Sequence, residues 1–323
     1  MEGKEKKMKI LITGGGGFIG SVLLIGLHDK YEIISLDRDQ GPRQTKLQAL
    51  TKDKITFVNG DIRDEVLLDN LMQKGIDVVI HFAGGGGNNA CMKDPALAVT
   101  SYVHGTHLLL KKSLKYNIKR FIFSSSQAAY STFKAREMPL TEDMELMPDD
   151  LYGALKAVAE HEIRDSQLKF TTLRFANVYG YVQGFNEIRK GGAIENFIKA
   201  AYDGSDITIF GKGEQKIDYV NVNDVLHCIE IILNDLSAGS DIFNIGSGKL
   251  VSIMDIAKTA AEIGREVFGH QINIKTVPAP EGKIWPDRLI SIDKANRLLK
   301  WKPLVSLSDG IKQIMTNAEA PEK

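Results

Sequence analysis

The sequence predicts an α/β fold: a doubly wound parallel sheet followed by a smaller C-terminal α/β lobe. Three observations carry this. Short apolar runs alternate with longer segments of helical period through the first 176 residues, which means crossover units and a sheet covered on both faces. A glycine cluster sits between the first apolar run and the first helical segment. After residue 177 the rhythm breaks, glycines become frequent, and a late apolar run reads as a strand returning to the sheet.

The elements follow in order. Lys9–Thr13 (KILIT) is apolar throughout, as a strand buried on both faces requires. Residues 18–28 form a helical pattern, and Glu32–Asp37 (EIISLD) and Ile55–Asn59 (ITFVN) are the next strands. Residues 77–82 (DVVIHF) give a fourth. Residues 95–116 carry a long helical pattern with Pro95 suited to its first turn. Residues 120–124 (RFIFS) are a fifth strand, residues 151–168 a helix and Phe170–Phe175 (FTTLRF) a sixth strand. In the second half, helices are expected at 193–202, 252–268 and 306–315, with a strand at Asp241–Ile245. The expected organisation is therefore a first domain over 1–176, to which 219–247 returns, and a substrate lobe made of 177–218 and 248–323.

Composition narrows the function classes. Lys+Arg and Asp+Glu both number 41, so net charge is near zero, which argues against nucleic acid or an anionic membrane as partner. No run of about 20 apolar residues occurs, and the charged start MEGKEKK lacks the apolar core of a signal peptide, so the cytoplasm is the expected location. The two cysteines, Cys91 and Cys228, form no CxxC pair and read as buried free thiols rather than a disulfide or zinc site. No metal site is expected.

The glycine cluster, Thr13 to Gly20 (TGGGGFIG), has Gly14, Gly17 and Gly20 spaced GxxGxxG between strand and helix. A tight turn there needs backbone angles that glycine adopts freely, and a pyrophosphate needs a backbone without a Cβ in its way. The helix start adds free N–H groups and the positive end of its dipole. This context points to a dinucleotide in a Rossmann-type half. Asp37, at the end of the second strand, can accept from the adenosine ribose hydroxyls and would repel a 2′-phosphate, favouring NAD over NADP; the adjacent Arg38 could hold such a phosphate. Asp61 and Ile62, after the third strand, can meet the adenine, although Asp61 also reads as a turn residue.

Tyr152 and Lys156 form a YxxxK on the expected 151–168 helix, on one face. A tyrosine of pKa near 10 is a poor base at pH 7, and an ammonium together with an oxidised nicotinamide would need to lower it by roughly 3 units. Ser124, Ser125 and Ser126 close the fifth strand at the carboxyl edge where α/β sheets bind ligands. Ser126 also reads as a plain strand-end cap.

These motifs, in this order, resemble the extended short-chain dehydrogenase/reductases, the family of nucleotide-sugar epimerases and dehydratases. The resemblance continues through GDIRD (60–64), HFAG (81–84), VHGT (103–106), FSSSQAAY (123–130), LRFANVYG (173–180), IFGKGEQ (209–215), FNIGSG (243–248) and KWKP (300–303). It implies that Tyr152 is the general acid/base, that Lys156 tunes it and binds the nicotinamide ribose, and that Ser126 bonds the reacting sugar oxygen. It implies cofactor contacts at Gly14, Gly17, Phe18, Ile19, Gly20, Asp37, Arg38, Asp61, Ile62, Phe82, Ala83, Gly84 and Ser124 besides Tyr152 and Lys156. Substrate contacts would be Ser126, Tyr152 and Asn177. It also implies a homodimer through the helices at 95–116 and 151–168.

Several positions depart from the family's pattern. Tyr102 stands where an Asn is usual in the long helix, and Ile217 and Ala279 stand near expected diphosphate-binding arginines. Lys216, Lys283 or Arg288 could compensate. Gln127 and Ala128 replace the acidic pair of the dehydratases, which argues against 4,6-dehydration. Gly84–Gly87 with Asn88 and Asn89 forms either a roomy polar pocket or a flexible loop. The leading expectation is an NAD-dependent epimerase of a sugar, nucleotide-linked, working through a keto intermediate. The alternatives are a net NAD(P)-dependent dehydrogenase or reductase of a free sugar, sugar acid or small carbonyl compound, and a non-catalytic NAD(P)-binding protein.

Overall fold

Apolar, β-branched runs bounded by turns become the strands of one seven-stranded sheet: β1 Lys9–Thr13, β2 Glu32–Asp37, β3 Ile55–Asn59, β4 Val78–His81, β5 Arg120–Ser126, β6 Phe170–Phe175 and β7 Asp241–Ile245. The structure is a computed structural model and describes residues 7–38, 42–130, 138–185, 188, 191–281 and 286–317. In space the strands lie in the order β7-β6-β5-β4-β1-β2-β3, and β3-β2-β1-β4-β5 pair in parallel. The order reverses at β1, so the carboxyl ends of β1 and β4 form the crevice where such sheets take ligands.

The chain forms two compact units. The first comprises residues 1–131, 142–174 and 229–243; the second comprises 132–141, 175–228 and 244–323. The stretch returning to the first unit is thus shorter than 219–247, because Tyr219–Asn221 pairs in parallel with Asn177–Tyr179 in the second.

In the first unit Leu11, Ile34, Leu36, Phe121 and Phe123 of the sheet pack with Leu108, Leu109, Leu110 and Ile163 of covering helices, all under 5% exposed. Each such side chain contributes about 1.5–3 kcal/mol by leaving water. The expected 95–116 helix is one path of three parts: α-helix at Pro95–Val99, a π-helical turn at Thr100–Gly105 and α-helix at Thr106–Lys115. Asp94 caps its start by accepting from Leu97 N at 3.0 Å. The 151–168 helix ends earlier, at Asp165. Val222–Asn234 is helical where the sequence reading names no element.

The second unit has its own core. Helices Ala193–Tyr202, Ile253–Phe268 and Leu307–Asn317 share an apolar cluster with the parallel pair Ile207–Phe210 and Ile274–Val277. The KWKP motif is explained here: Trp301 is fully buried and donates from Nε1 to Asp224 O at 3.0 Å. Both cysteines are buried free thiols, as expected. No helix among the described residues is long and apolar enough to cross a membrane.

Candidate active site

The glycine loop follows β1 directly. Gly14 has φ +75°, and a Cβ on it would stand 2.7 Å from Ala83 N and 2.9 Å from Phe82 C. A Cβ on Gly20 would stand 2.3 Å from Gly14 O. Gly17 starts the Phe18–Leu27 helix with no side-chain cap, and a helix start of this kind favours an anion. Asp37 accepts from Gly16 N at 2.9 Å, which fixes the carboxylate beside the loop. A cavity of about 220 Å³ is lined by Gly14, Gly17, Asp37, Arg38, Asp61, Ile62, Phe82, Ala83 and Gly84. Bare backbone, an uncapped helix start and a carboxylate at the end of β2 fit an adenine dinucleotide whose ribose is unphosphorylated.

Asp61 is a turn residue and a cavity wall at once. It accepts from Arg63 N at 2.9 Å and pairs with the Arg63 guanidinium at 2.6 Å, which holds its carboxyl below the usual range. Arg38 is 3.8 Å from it.

The catalytic helix is placed by close contacts. Asp150 caps it, accepting from Gly153 N at 2.7 Å. A Cβ on Gly153 would lie 2.0 Å from Ala128 O, so glycine lets the helix start lie against the turn after β5. That contact brings Tyr152 to Ser126. Ser126 Oγ accepts from Ala128 N at 3.1 Å and acts on the Tyr152 phenol in the direction that favours the phenolate. A hydroxyl has one proton and two acceptor sites, so a Ser126 Oγ that caps Ala128 N keeps its proton for a second partner.

Lys156 is 3% exposed. Its Nζ donates to Ser124 O, lies 3.5 Å from Ser124 Oγ and 5.8 Å from the centre of the Tyr152 ring. Ser124 Oγ in turn donates to His81 O at 3.0 Å. Burial pushes the Tyr152 phenol up to about 12 against the Ser126 hydrogen bond, and burial brings the Lys156 ammonium down to about 7 against the pull of Glu160. A buried lysine pointed at a backbone carbonyl spends its charge there, and desolvation of both groups outweighs their attraction.

Sequence reasoning missed two buried supports. The His81 imidazole bridges Thr13 Oγ1 at 2.7 Å and Thr106 Oγ1 at 3.0 Å, tying β1, β4 and the long helix. Burial, with the Lys156 charge adding, holds it down to about 3, so it is neutral at pH 7. Behind Ser126, Glu160 and Arg174 form an ion pair at 2.7 Å with side chains 0% and 2% exposed. Ser125 donates to Glu160, and Arg174 donates to the Tyr130 hydroxyl at 2.7 Å. The quoted HFAG, FSSSQAAY and LRFANVYG contain His81, Ser125, Tyr130 and Arg174, while Glu160 lies outside every quoted motif, and nothing local marks their pairing.

Asn177 lies in the second unit at the start of Asn177–Tyr179, its N donating to Asp218 O at 3.2 Å. In that unit Asp218 accepts from Ser247 N at 2.7 Å and Ser247 Oγ at 2.6 Å, which accounts for the serine of FNIGSG. Ile217 is bridged to Arg288. Lys216 N donates to Asp287 at 2.7 Å, and Lys283 lies outside the described residues.

Residues 10–246 match the NAD dependent epimerase/dehydratase family. The chain belongs to that family. It is 32% identical over 318 residues to a UDP-glucose 4-epimerase of Halalkalibacterium halodurans, covering 92% of this chain and 91% of that one. A putative UDP-glucose 4-epimerase of Methanocaldococcus jannaschii is 31% identical over 315 residues, covering 95% and 97%. The crystal structure of a Thermotoga maritima UDP-glucose 4-epimerase with UDP-glucose superposes at a TM-score of 0.84, with 29% identity, covering 95% of this chain and 97% of that one. A Bacillus cereus UDP-glucuronic acid 4-epimerase, solved with UDP-glucuronic acid and NAD, gives 0.81 at 28% identity, covering 96% and 99%. This family member is therefore an NAD-dependent sugar epimerase in type, on the fold its sequence predicts.

Proposed function

We propose that this protein inverts one carbinol centre of a nucleotide-linked sugar. The observation that carries the reading is the grouping of half-buried Ser126 and Tyr152 with buried Lys156, in which Ser126 acts to favour the Tyr152 phenolate and Lys156 lies one helical turn away. Bound NAD would supply a hydride acceptor and, when oxidised, a positive charge. Gly14, Gly17 and Gly20 would leave room for its pyrophosphate at the helix start, and Asp37 would hold its ribose. Ser126 would orient the sugar hydroxyl. Tyr152 would accept that hydroxyl's proton as the carbon is oxidised and return it when the keto sugar is reduced from its other face. The Tyr152 phenol, standing at about 12, leans on the added positive charge to reach a working range. Gln127 and Ala128 offer no acid or base for eliminating water from the neighbouring carbons.

The relatives' substrates suggest the panel for a test: UDP-glucose, UDP-galactose and UDP-glucuronic acid, followed by proton NMR of the sugar. Interconversion of a C4 pair without accumulation of NADH is expected. A stoichiometric rise in NADH instead would establish the second reading, a net oxidoreductase of a sugar lacking the nucleotide. Ile217 and Ala279 at the expected arginine positions favour that reading. Arg288, bridged to Ile217, is the candidate replacement, so Arg288→Ala should raise KM for a nucleotide sugar more than it lowers kcat.

A homodimer accompanies this reading. Val99 and Val158, on the two helices the family uses for pairing, are 42% and 46% exposed. Light scattering should give twice the chain mass, and a monomer mass across the micromolar range would exclude it.

A further inference from the structure

Tyr102 sits in the π-helical turn Thr100–Gly105, a form of helix that is rare and concentrates at functional sites. It is 3% exposed and belongs to a small cluster with Cys91, Ala98 and Leu155, against which Tyr152 packs. The Lys156 Nζ stands 4.9 Å from the centre of the Tyr102 ring, and the rings of Tyr102 and Tyr152 meet edge to face at 6.0 Å. The Tyr102 hydroxyl donates to Gly86 O at 2.6 Å. A Cβ on Gly84 would lie 2.2 Å from the Tyr102 ring, and Gly86 has φ +89°. Of the run Gly84–Gly87, expected as a roomy polar pocket or a flexible loop, the space beside Gly84 is filled by a tyrosine ring.

We propose that Tyr102 is a positioning residue for Tyr152 and Lys156, and that Gly84 is the backbone accommodation its ring requires. This rests on the reading of Tyr152 and Lys156 as the working pair. The ring face seats the ammonium over a π cloud, its edge fixes the Tyr152 ring, and the hydroxyl anchors the segment that lines the cofactor cavity at Gly84. An asparagine at 102 could supply a hydrogen bond but neither ring contact. The other titratable groups facing Lys156 are Glu160 and Tyr152 on its own helix, Cys91 on Asn88–Lys93 and His81 on β4.

The test uses NAD-saturated protein labelled with ¹³C at lysine Cε, with the Lys156 signal assigned by its loss in Lys156→Arg. Tyr102→Phe keeps the ring and Tyr102→Met removes it, while both lose the hydroxyl. The Lys156 titration midpoint should stay near the wild-type value in Tyr102→Phe and fall by about half a pH unit in Tyr102→Met. A midpoint in Tyr102→Met that is unchanged or raised would overturn the proposal. The accommodation is tested independently, and also if Tyr102→Met does not fold. Gly84→Ala should weaken NAD binding or folding markedly, and Gly84→Ala/Tyr102→Asn should recover about tenfold in NAD affinity, or recover folding. Equal loss in both backgrounds would refute it. Neither measurement needs sugar turnover, so the proposal fails or stands separately from the nucleotide-sugar reading.

Discussion

Two glycine-rich segments face one cavity for different reasons. At Gly14 and Gly20 the atoms that forbid a side chain are backbone, Ala83 N and Gly14 O, while at Gly15 it is the Ser35 hydroxyl at 2.1 Å. In Gly84–Gly86 the neighbour that forbids one at Gly84 is the Tyr102 ring, which enters from a helix 18 positions along the chain. At Gly14 and Gly20 the close neighbour is main chain, and at Gly84 it is another residue's ring. A glycine's meaning lies in what stands opposite its missing Cβ.

Substitutions can break or sharpen that contrast. The largest effect is expected from Gly20→Ala. Backbone atoms at 2.3 Å cannot yield without moving the loop, so NAD binding should be lost and stability should fall by about 1–3 kcal/mol, read by calorimetric titration and denaturant unfolding. No second substitution at 102 should restore it. Glu160→Gln comes next. Leaving Arg174 buried without its counter-charge should cost about 3–5 kcal/mol by urea unfolding, showing that the wall behind Ser126 is held by side chains rather than backbone. A loss under 1 kcal/mol would mean the pair is spectator structure.

His81 links the two segments through Thr13, and its contribution is read by pH. Its folded pKa, about 3, lies below its unfolded value near 6.5, so between these limits the unfolded chain binds the extra proton. Stability from this group is present above about pH 6.5 and is lost as pH falls toward 3, at up to about 1.4 kcal/mol per unit. His81→Gln should flatten that limb, and an unaltered slope would show the imidazole to be protonated in the fold. The smallest effect belongs to Gly87→Ala. Nothing lies within 4 Å of the added Cβ, so a change within about 0.5 kcal/mol is expected, and a large loss would mean the segment's glycines share some other demand.

The contrast also explains what was legible in the sequence. The Gly14–Gly20 loop could be read because its strand, turn and helix are consecutive. The sheet strands could be read because buried parallel strands are apolar runs with little else in them. The fit of Tyr102 to Gly84 could not, since nothing in either segment names the other, and an asparagine position filled by tyrosine registered only as a departure. The protonation of the pair escaped for a related reason. YxxxK gives the spacing of two groups, whereas burial sets their pKa values, and burial comes in part from Phe123 and Tyr102 arriving from elsewhere in the chain. Val222–Asn234 was legible too, since Val222, Val225, Leu226, Ile229, Ile232 and Leu233 have helical spacing, but the expected strand return through 219–247 left no helix there.

The most direct measurement of the proposed chemistry compares wild type with Tyr152→Phe, both saturated with NAD, on the UDP-sugar pair that turns over. The phenylalanine keeps the ring contacts to Tyr102 and removes only the oxygen that carries the proton. The expected result is NAD retained at wild-type affinity and kcat reduced by about 10²–10⁴-fold. Turnover at the wild-type rate would contradict the assignment of proton transfer to Tyr152.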